Sequence, residues 1–353
     1  MIIGFTYDLK DDYLAMGMSE EDSAEFDKIE TIIGIETAIN ATGHECVRIG
    51  NVQSLVRRLA LGERWDLVFN ICEGVSGIGR ESQVPALLEA YSIPYVFSDP
   101  LVLSLTLHKG MTKHIVKSFG IPTPDFFVVK TEEDISRVVM EYPLFVKPVA
   151  EGTGKGISAR SLCTTHDDLR ESCIDLLRRF NQSVLVERYL PGREFTVGIV
   201  GTGDRARVVG MMEITVARDS DGSVYGYHNK ENYEEIVSYR PVYGDKYDLC
   251  ATVALSAYNA LGCQDAGRVD LKDDHFGIPN FIEVNPLAGL NPVHSDLPIL
   301  ARMYGIEYDE LISMILSESI LRNNIQPSEV SIETVLQNSV IYASNNPGKF
   351  FIP

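Results

Sequence analysis

Residues 267–290 read GRVDLKDDHFGIPNFIEVNPLAGL. Along 268–271 and again along 282–285, polar and apolar residues alternate with period two, the pattern of half-buried strands. Between the runs Asp273, Asp274 and Gly277 supply turn chemistry, so the simplest arrangement is an antiparallel hairpin. Symmetry about Phe276 and Gly277 sets Asp270 opposite Glu283 and Arg268 opposite Asn285, with Val269, Leu271, Ile282 and Val284 sharing the other face. One face is oily, and the other carries acids with one arginine.

Carboxylates directly opposed in a sheet have side-chain roots roughly 5 Å apart and repel unless something offsets them. A divalent cation would do so, and Asp, Glu and Asn oxygens suit a hard ion such as Mg²⁺. A solvated hairpin face with Arg268 as counter-ion accounts for the same residues, so the rest of the chain has to distinguish the two.

The 353 residues suffice for two or three domains with buried cores, and 45% hydrophobic with 23% charged residues is ordinary globular composition. No apolar run approaches the ~20 residues of a membrane span. The opening MIIGFTYDLKDD has neither a basic flank nor a cleavable apolar stretch, so the expected location is the cytoplasm with no membrane partner. A formal charge of −19 argues against a nucleic-acid partner, because phosphate neutralisation needs clustered Lys and Arg. The six cysteines lack metal or CxxC spacing and read as reduced structural thiols.

In chain order, strands at 2–6, 46–49 and 65–71 alternate with helices at 25–42 and 52–61. This βαβαβ pattern predicts an open parallel sheet with a crevice at the carboxyl ends of its strands, where Glu73 and Gly74 lie. A helix at 80–90 and a further strand at 95–98 complete that unit. Then come a helix at 109–120, strands at 126–129 and 144–147, and a helix at 132–140. The loop EGTGKGI at 151–157 is no Walker A loop, since Val149 stands where Gly is needed and ISARS after it reads as a strand. It is either a glycine-rich hairpin presenting N–H groups to phosphate, with Lys147 adding charge, or a plain flexible tip. A helix at 167–180 leads to two strands interrupted by Pro191 and Gly192. Gly201, Gly203 and Ala206 match GxGxxA, but a strand follows, so a hairpin turn is expected. Residues 219–243 read as a long polar loop with Lys230 and His228, followed by helices at 247–261, 299–304 and 308–322.

Four segments in this order, FVKPVAEGTGKGIS, VLVERYLPGREFTV, GRVD and EVNPLAGL, resemble the ATP-grasp ligases, and more closely the D-alanine–D-alanine ligase family. The resemblance covers about residues 1–320. It implies an ATP-grasp fold of mixed α/β and α+β class. An N-terminal open parallel α/β domain would span 1–106, a central lid domain 107–191 and a C-terminal catalytic α+β domain 192–322, with a tail at 323–353 of no assigned role. It gives Lys109 and Lys147 to the ATP phosphates, and Gly152, Thr153, Gly154 and Gly156 to a closing phosphate lid. Glu187, Tyr189 and Leu190 would lie along the adenine and Glu194 on the ribose. Asp270, Glu283 and Asn285 would hold two Mg²⁺ ions, with Mn²⁺ as a substitute. Arg268 and the Gly289 N–H would stabilise the oxyanion, Lys230 would cover the reacting phosphate, and Glu25 would bind the first substrate's ammonium group. A homodimer acting on small amino acids in peptidoglycan biosynthesis is the family's pattern.

The implied reaction is attack of a carboxylate on the γ-phosphoryl group of ATP, then attack of an amine on the acyl phosphate. Three departures concern the substrate pockets. Glu73 and Gly74 stand where the family has His-Gly; Glu231 follows Lys230 where a tyrosine is usual, with Tyr233 two residues on; and Asn291, His294 and Ser295 lie where a serine is expected after Gly289. A ligase for other amino acids or a peptide, outside cell-wall synthesis, is therefore one alternative, and a nucleotide-binding regulatory protein without turnover is another.

Overall fold

The computed structural model describes residues 1–216 and 237–325. Three sheets organise it. The first joins β1 (Ile2–Tyr7), β2 (Glu45–Gly50) and β3 (Leu67–Ile71) in the order β2-β1-β3, all parallel. Helices α1 (Lys10–Ala15), α2 (Ile29–Ala41), α3 (Val52–Ala60) and α4 (Gln83–Ala90) accompany it. Asn51 starts α3 by accepting the Ser54 N–H at 3.1 Å, relieving one of the unpaired donors of a first helical turn. The expected helix at 25–42 begins only at Ile29, which leaves Glu25 in the loop before it. The expected strand at 95–98 is reduced to a single bridge between Tyr95 and Val68.

Helix α5 (Pro100–Leu107) opens with Asp99 accepting the Val102 N–H and Pro100 at its first position, and α6 (Lys109–Ser118) follows at once. The second sheet, ordered β4-β7-β5-β6, contains β4 (Phe126–Val129), β5 (Leu144–Pro148), β6 (Leu162–Cys163) and β7 (Val184–Arg188), covered by α7 (His166–Phe180). Two expectations change here. The helix at 132–140 is a short 3-10 segment, Glu132–Arg137, and ISARS is a 3-10 turn followed by the two-residue β6. Gly154 and Gly156, at φ of 75° and 76°, bend the glycine-rich loop where side chains are strained.

At Pro191 and Gly192 the chain passes to the third sheet, β10-β9-β8-β11-β12. It comprises β8 (Glu194–Val200), β9 (Arg207–Val216), β10 (Val237–Pro241), β11 (Ala266–Asp273) and β12 (Pro279–Asn285), all antiparallel. Gly201, Gly203 and Ala206 lie in the β8–β9 hairpin turn, as the strand after them required. The expected polar loop at 219–243 ends earlier, since Val237–Pro241 forms an edge strand on β9. Helices α8 (Asp245–Ala260), α9 (Asp296–Met303) and α10 (Tyr308–Arg322) complete the described chain. Among the described residues no helix is long and apolar enough to cross a membrane.

One apolar core joins Ile3, Phe5 and Phe69 of the first sheet to Leu297, Leu300 and Ile312 of α9 and α10. A separate core, including Val129, Val146, Leu176 and Val186, stays within the second sheet and α7. All six cysteines are free thiols, five of them buried.

Candidate active site

The β11–β12 hairpin sets the site. Arg268 pairs with Asn285 and Asp270 with Glu283, in the register its alternation predicts. Beyond Asp270 the register shifts by one, so Leu271 faces Phe281 rather than Ile282. Phe281, fully buried, takes the core position expected for Ile282. The bulge keeps both Phe281 and Val284 in the core while Glu283 faces Asp270, and bulges often re-aim side chains next to active sites.

On the polar face, Arg268 makes a two-pronged contact with Asp270, Nε to Oδ1 at 3.2 Å and Nη2 to Oδ2 at 3.1 Å. Its Nη1 donates to Asp296 Oδ2 at 2.7 Å, in the first turn of α9. Thr196 donates to Asp270 Oδ1 at 2.6 Å, and the Asn285 amide lies 3.3 Å from Asp270 Oδ2. Burial raises the Asp270 carboxyl above the usual range, with Glu283 adding to the rise and Arg268 opposing it. Among the described residues no three His, Cys, Asp or Glu side chains group closely enough to hold a metal by themselves. The third oxygen is the Asn285 amide, and two opposed carboxylates with an amide are a hard donor set whose repulsion a divalent cation would relieve. The residues fit such an ion.

Two lysines converge on the same carboxylate. Lys109 Nζ lies 3.6 Å and Lys147 Nζ 3.8 Å from Glu283 Oε2. Lys109 begins α6 and also donates to the Glu151 carbonyl at 2.6 Å. Lys147 lies 3.1 Å from Glu187 Oε1, and on the far side of Glu187 is Lys113, 3.0 Å from Oε2. Burial raises the Glu187 carboxyl, but the charges of Lys113 and Lys147 outweigh it and hold the group below its usual range. Lys113 was not among the sequence candidates; its signal was a second lysine four residues after Lys109, on the same helix face. Of the remaining nucleotide-side candidates, Tyr189 has Lys272 over its ring at 5.9 Å, Leu190 is buried, and Glu194 pairs with Lys272 at 2.9 Å. Lys230, with Glu231 and Tyr233, lies outside the described residues.

The glycine-rich loop rests on the N-terminal unit. Glu25 accepts the Gly152 N–H at 2.8 Å and an Arg80 guanidinium N–H at 2.8 Å, and Arg80 also donates to the Ala150 carbonyl at 3.0 Å. A Cβ on Gly152 would fall 2.6 Å from Glu25 Oε1, so glycine is needed for this close approach. Lys155 reaches the Asp22 carbonyl at 3.3 Å. Burial raises the Glu25 carboxyl, but Arg80 and Lys155 bring it below the usual range.

Glu25, Thr153, Glu283, Asn285, Gly289 and Ser295 line one cavity of about 780 Å³. Gly289 approaches Ser295 so closely that a Cβ would meet its Oγ at 2.8 Å. Asn291 and His294 also line the cavity. However, the Asn291 side chain is spent on its loop, accepting the Val293 and His294 N–H groups at 3.0 Å and donating to Thr31 at 3.0 Å. Glu73 lines the opposite end, at the carboxyl edge of the first sheet. Sequence reading missed Arg80, Glu81 and Asp296, whose positions depend on loops meeting from distant segments.

A family model for the D-ala D-ala ligase C-terminus matches residues 115–317. A D-alanine–D-alanine ligase of Bordetella pertussis is 34% identical over 245 residues, 68% of this chain and 75% of that protein. One of Bordetella petrii is 30% identical over 292 residues, 81% of this chain and 85% of that protein. The crystal structure of a D-alanine–D-alanine ligase from Bacillus anthracis complexed with ATP aligns with TM-score 0.69 at 22% identity, covering 92% of this chain and 99% of that one. The VanG D-Ala:D-Ser ligase of Enterococcus faecalis also gives TM-score 0.69, at 19% identity, over 90% of this chain and 99% of that one. At these identities the two structures speak to the ATP-grasp fold. The family model over more than half of the chain, together with the Bordetella relatives, places this chain in the D-alanine–D-alanine ligase family.

Proposed function

We propose that this chain is an ATP-dependent carboxylate–amine ligase that joins two amino acids through an acyl phosphate, releasing ADP and phosphate. The observation that carries the reading is the convergence of Lys109 and Lys147 on Glu283, directly across the hairpin from Asp270. Divalent cations held by Asp270, Glu283 and Asn285, two Mg²⁺ with Mn²⁺ as a substitute, would offset charge on the transferring phosphoryl group. Lys109 and Lys147 add fixed positive charge to the same place, and Glu187 holds Lys147 there from behind. Tyr189, Leu190 and Glu194 would line the adenosine. The loop at Gly152, Thr153, Gly154 and Gly156 would keep water from the acyl phosphate, which hydrolyses readily. Arg268 and the Gly289 N–H would face the tetrahedral oxyanion of the second step.

The same proposal carries the division into units at 1–106, 107–191 and 192–322, and a homodimer working in the cytoplasm. The particle mass in solution tests the dimer.

The activity is tested by ADP release from ATP and Mg²⁺ with a panel of D- and L-amino acids, with products identified by mass. A dipeptide from D-alanine supports the D-alanine–D-alanine assignment, and activity confined to L-substrates removes it. If ATP binds but no carboxylate and amine pair yields ADP, the nucleotide-binding regulatory reading replaces the enzyme.

A further inference from the structure

His108 is the one residue between α5 and α6, and the residue after it is Lys109, which faces Glu283. Its Nδ1 atom accepts the Met111 N–H at 3.2 Å and so caps the first turn of α6. Its carbonyl accepts the Thr112 N–H at 3.1 Å and the Thr112 hydroxyl at 3.2 Å. The ring lies beside Gly110, where an added Cβ would come within 3.4 Å of His108 Cε1. The Lys109 N–H donates to the Val149 carbonyl at 3.1 Å, at the root of the glycine-rich loop. This junction therefore fixes where α6 begins and where Lys109 stands. Ser, Thr, Asp and Asn, the usual caps, offer an oxygen that accepts at any pH near neutrality. An imidazole differs, because Nδ1 accepts only while that nitrogen carries no proton. Protonation turns the acceptor into a donor facing another donor, and sets a positive charge against the positive end of the helix dipole.

We propose, on the basis of the ligase reading, that His108 is a positioning residue for Lys109: its neutral imidazole holds the first turn of α6, and protonation of Nδ1 releases that turn and weakens the grip on the ATP phosphates. The surroundings favour the neutral form. Burial lowers His108 from the ordinary histidine value of 6.5; a hydrogen bond with its own backbone opposes the fall, and Lys130, Lys109 and His114 add to it. These are the charged and titratable groups around the ring, two on α6 and one just beyond β4, whereas neither α5 nor β4 carries an ionisable side chain. The cap is thus intact at neutral pH and is lost as pH falls below the ordinary histidine range.

The experiment measures kcat/KM for ATP by ADP release, with the amino acid saturating, between about pH 5.5 and 8.5 for the full chain, His108→Asn and His108→Ala. Asn keeps an acceptor that does not titrate, and Ala has none. Ionisation of the substrates is common to all three proteins, so the difference between profiles carries the result. On the acid side the parent should fall roughly 5- to 10-fold below His108→Asn, the effect of one lost cap, with kcat changed less than KM. His108→Ala should show the lower value at every pH, and His108→Asn should restore it; should His108→Ala fail to fold, the comparison with His108→Asn decides alone. The imidazole ¹⁵N shifts of His108, identified by their loss in His108→Asn, should show Nδ1 unprotonated at neutral pH. Parallel profiles for the parent and His108→Asn, or a protonated Nδ1 at neutral pH, overturn the proposal and leave the ligase reading standing. If no amino acid releases ADP, the ligase reading fails and calorimetric titration with ATP and Mg²⁺ decides the role of His108. Affinity lost on the acid side in the parent but not in His108→Asn keeps it, and parallel or absent binding overturns it.

Discussion

Lys113 Nζ lies 3.0 Å from Glu187 Oε2 with its side chain wholly buried, and it also donates to the Phe281 carbonyl at 3.3 Å, at the edge of the hairpin bulge. Lys113 thus ties the residue that holds Lys147 to the strand that carries Glu283. Lys113→Met leaves Glu187 with one lysine. Breaking such a buried pair costs roughly 3–5 kcal/mol. Urea unfolding should show that loss, and Lys113→Met with Glu187→Gln should recover part of it, because the uncompensated charge has gone.

Glu283→Gln separates catalysis from folding. It removes one of two opposed carboxylates, so the unfolding free energy in the absence of metal should hold within about 1 kcal/mol or rise. ADP release should fall by at least about 100-fold, since the group that Lys109 and Lys147 approach loses its charge. An equal fall in folded protein and in activity, with normal turnover per folded molecule, would contradict the assignment.

Asp296 holds Arg268 from the side opposite Asp270. Asp270 would give up the oxygens Arg268 now uses if it held a divalent cation, and Asp296 would remain to hold Arg268 in place. Asp296→Asn is expected to lower kcat by about 10-fold or more with ATP affinity unchanged, the signature of a misplaced transition-state group. Arg268→Lys should do the same more severely, because a point charge cannot span two carboxylates. Steady-state kinetics with ATP and amino acid varied separately would show the split.

Glu81, on the cavity lining, predicts a pH effect on stability. Glu81 is raised from 4.5 to about 7 by burial, so the folded state holds that proton longer than the unfolded chain does. Its contribution is therefore full below the unfolded value and is lost as pH rises through about 7. Glu81→Gln should match the parent near pH 4 and exceed it near pH 8, by about 1–3 kcal/mol. Urea unfolding of both proteins at the two pH values measures the difference directly, and a constant difference would sink the idea.

The hairpin was legible because alternation with period two admits one register once a face is buried, and that register placed Asp270 opposite Glu283 and Arg268 opposite Asn285. The bulge was not, since both Phe281 and Ile282 are apolar and only packing against α8 and its neighbours selects Phe281. Glu25 was legible as a candidate and lines the cavity, but its pairing with Arg80 was not legible, because 55 residues, with two helices and two strands, separate them. The strand expected at 95–98 had the right composition yet makes only one bridge, at Tyr95. Arg322 and Ser319 of α10 donate instead to the carbonyls of Tyr95 and Phe97.

The core shared by the first sheet and helices α9 and α10 has a mechanical consequence. Glu73 and Gly289 stand on opposite walls of the cavity, yet the units that carry them are packed through Phe5, Phe69, Leu297 and Ile312 into one body. The second sheet has its own core and meets that body both through polar contacts, such as Gly152 with Glu25 and Lys155 with Asp22, and through a small apolar cluster in which Leu107 of α5 packs against Val149, Ala150 and Leu185. Parting the polar contacts therefore leaves that apolar seam in place, and full release of the unit would expose it as well. The gap between Glu73 and Gly289 is thus gauged by one continuous core, while the glycine-rich loop is clipped to its rim at Glu25 and seated on a narrow apolar seam.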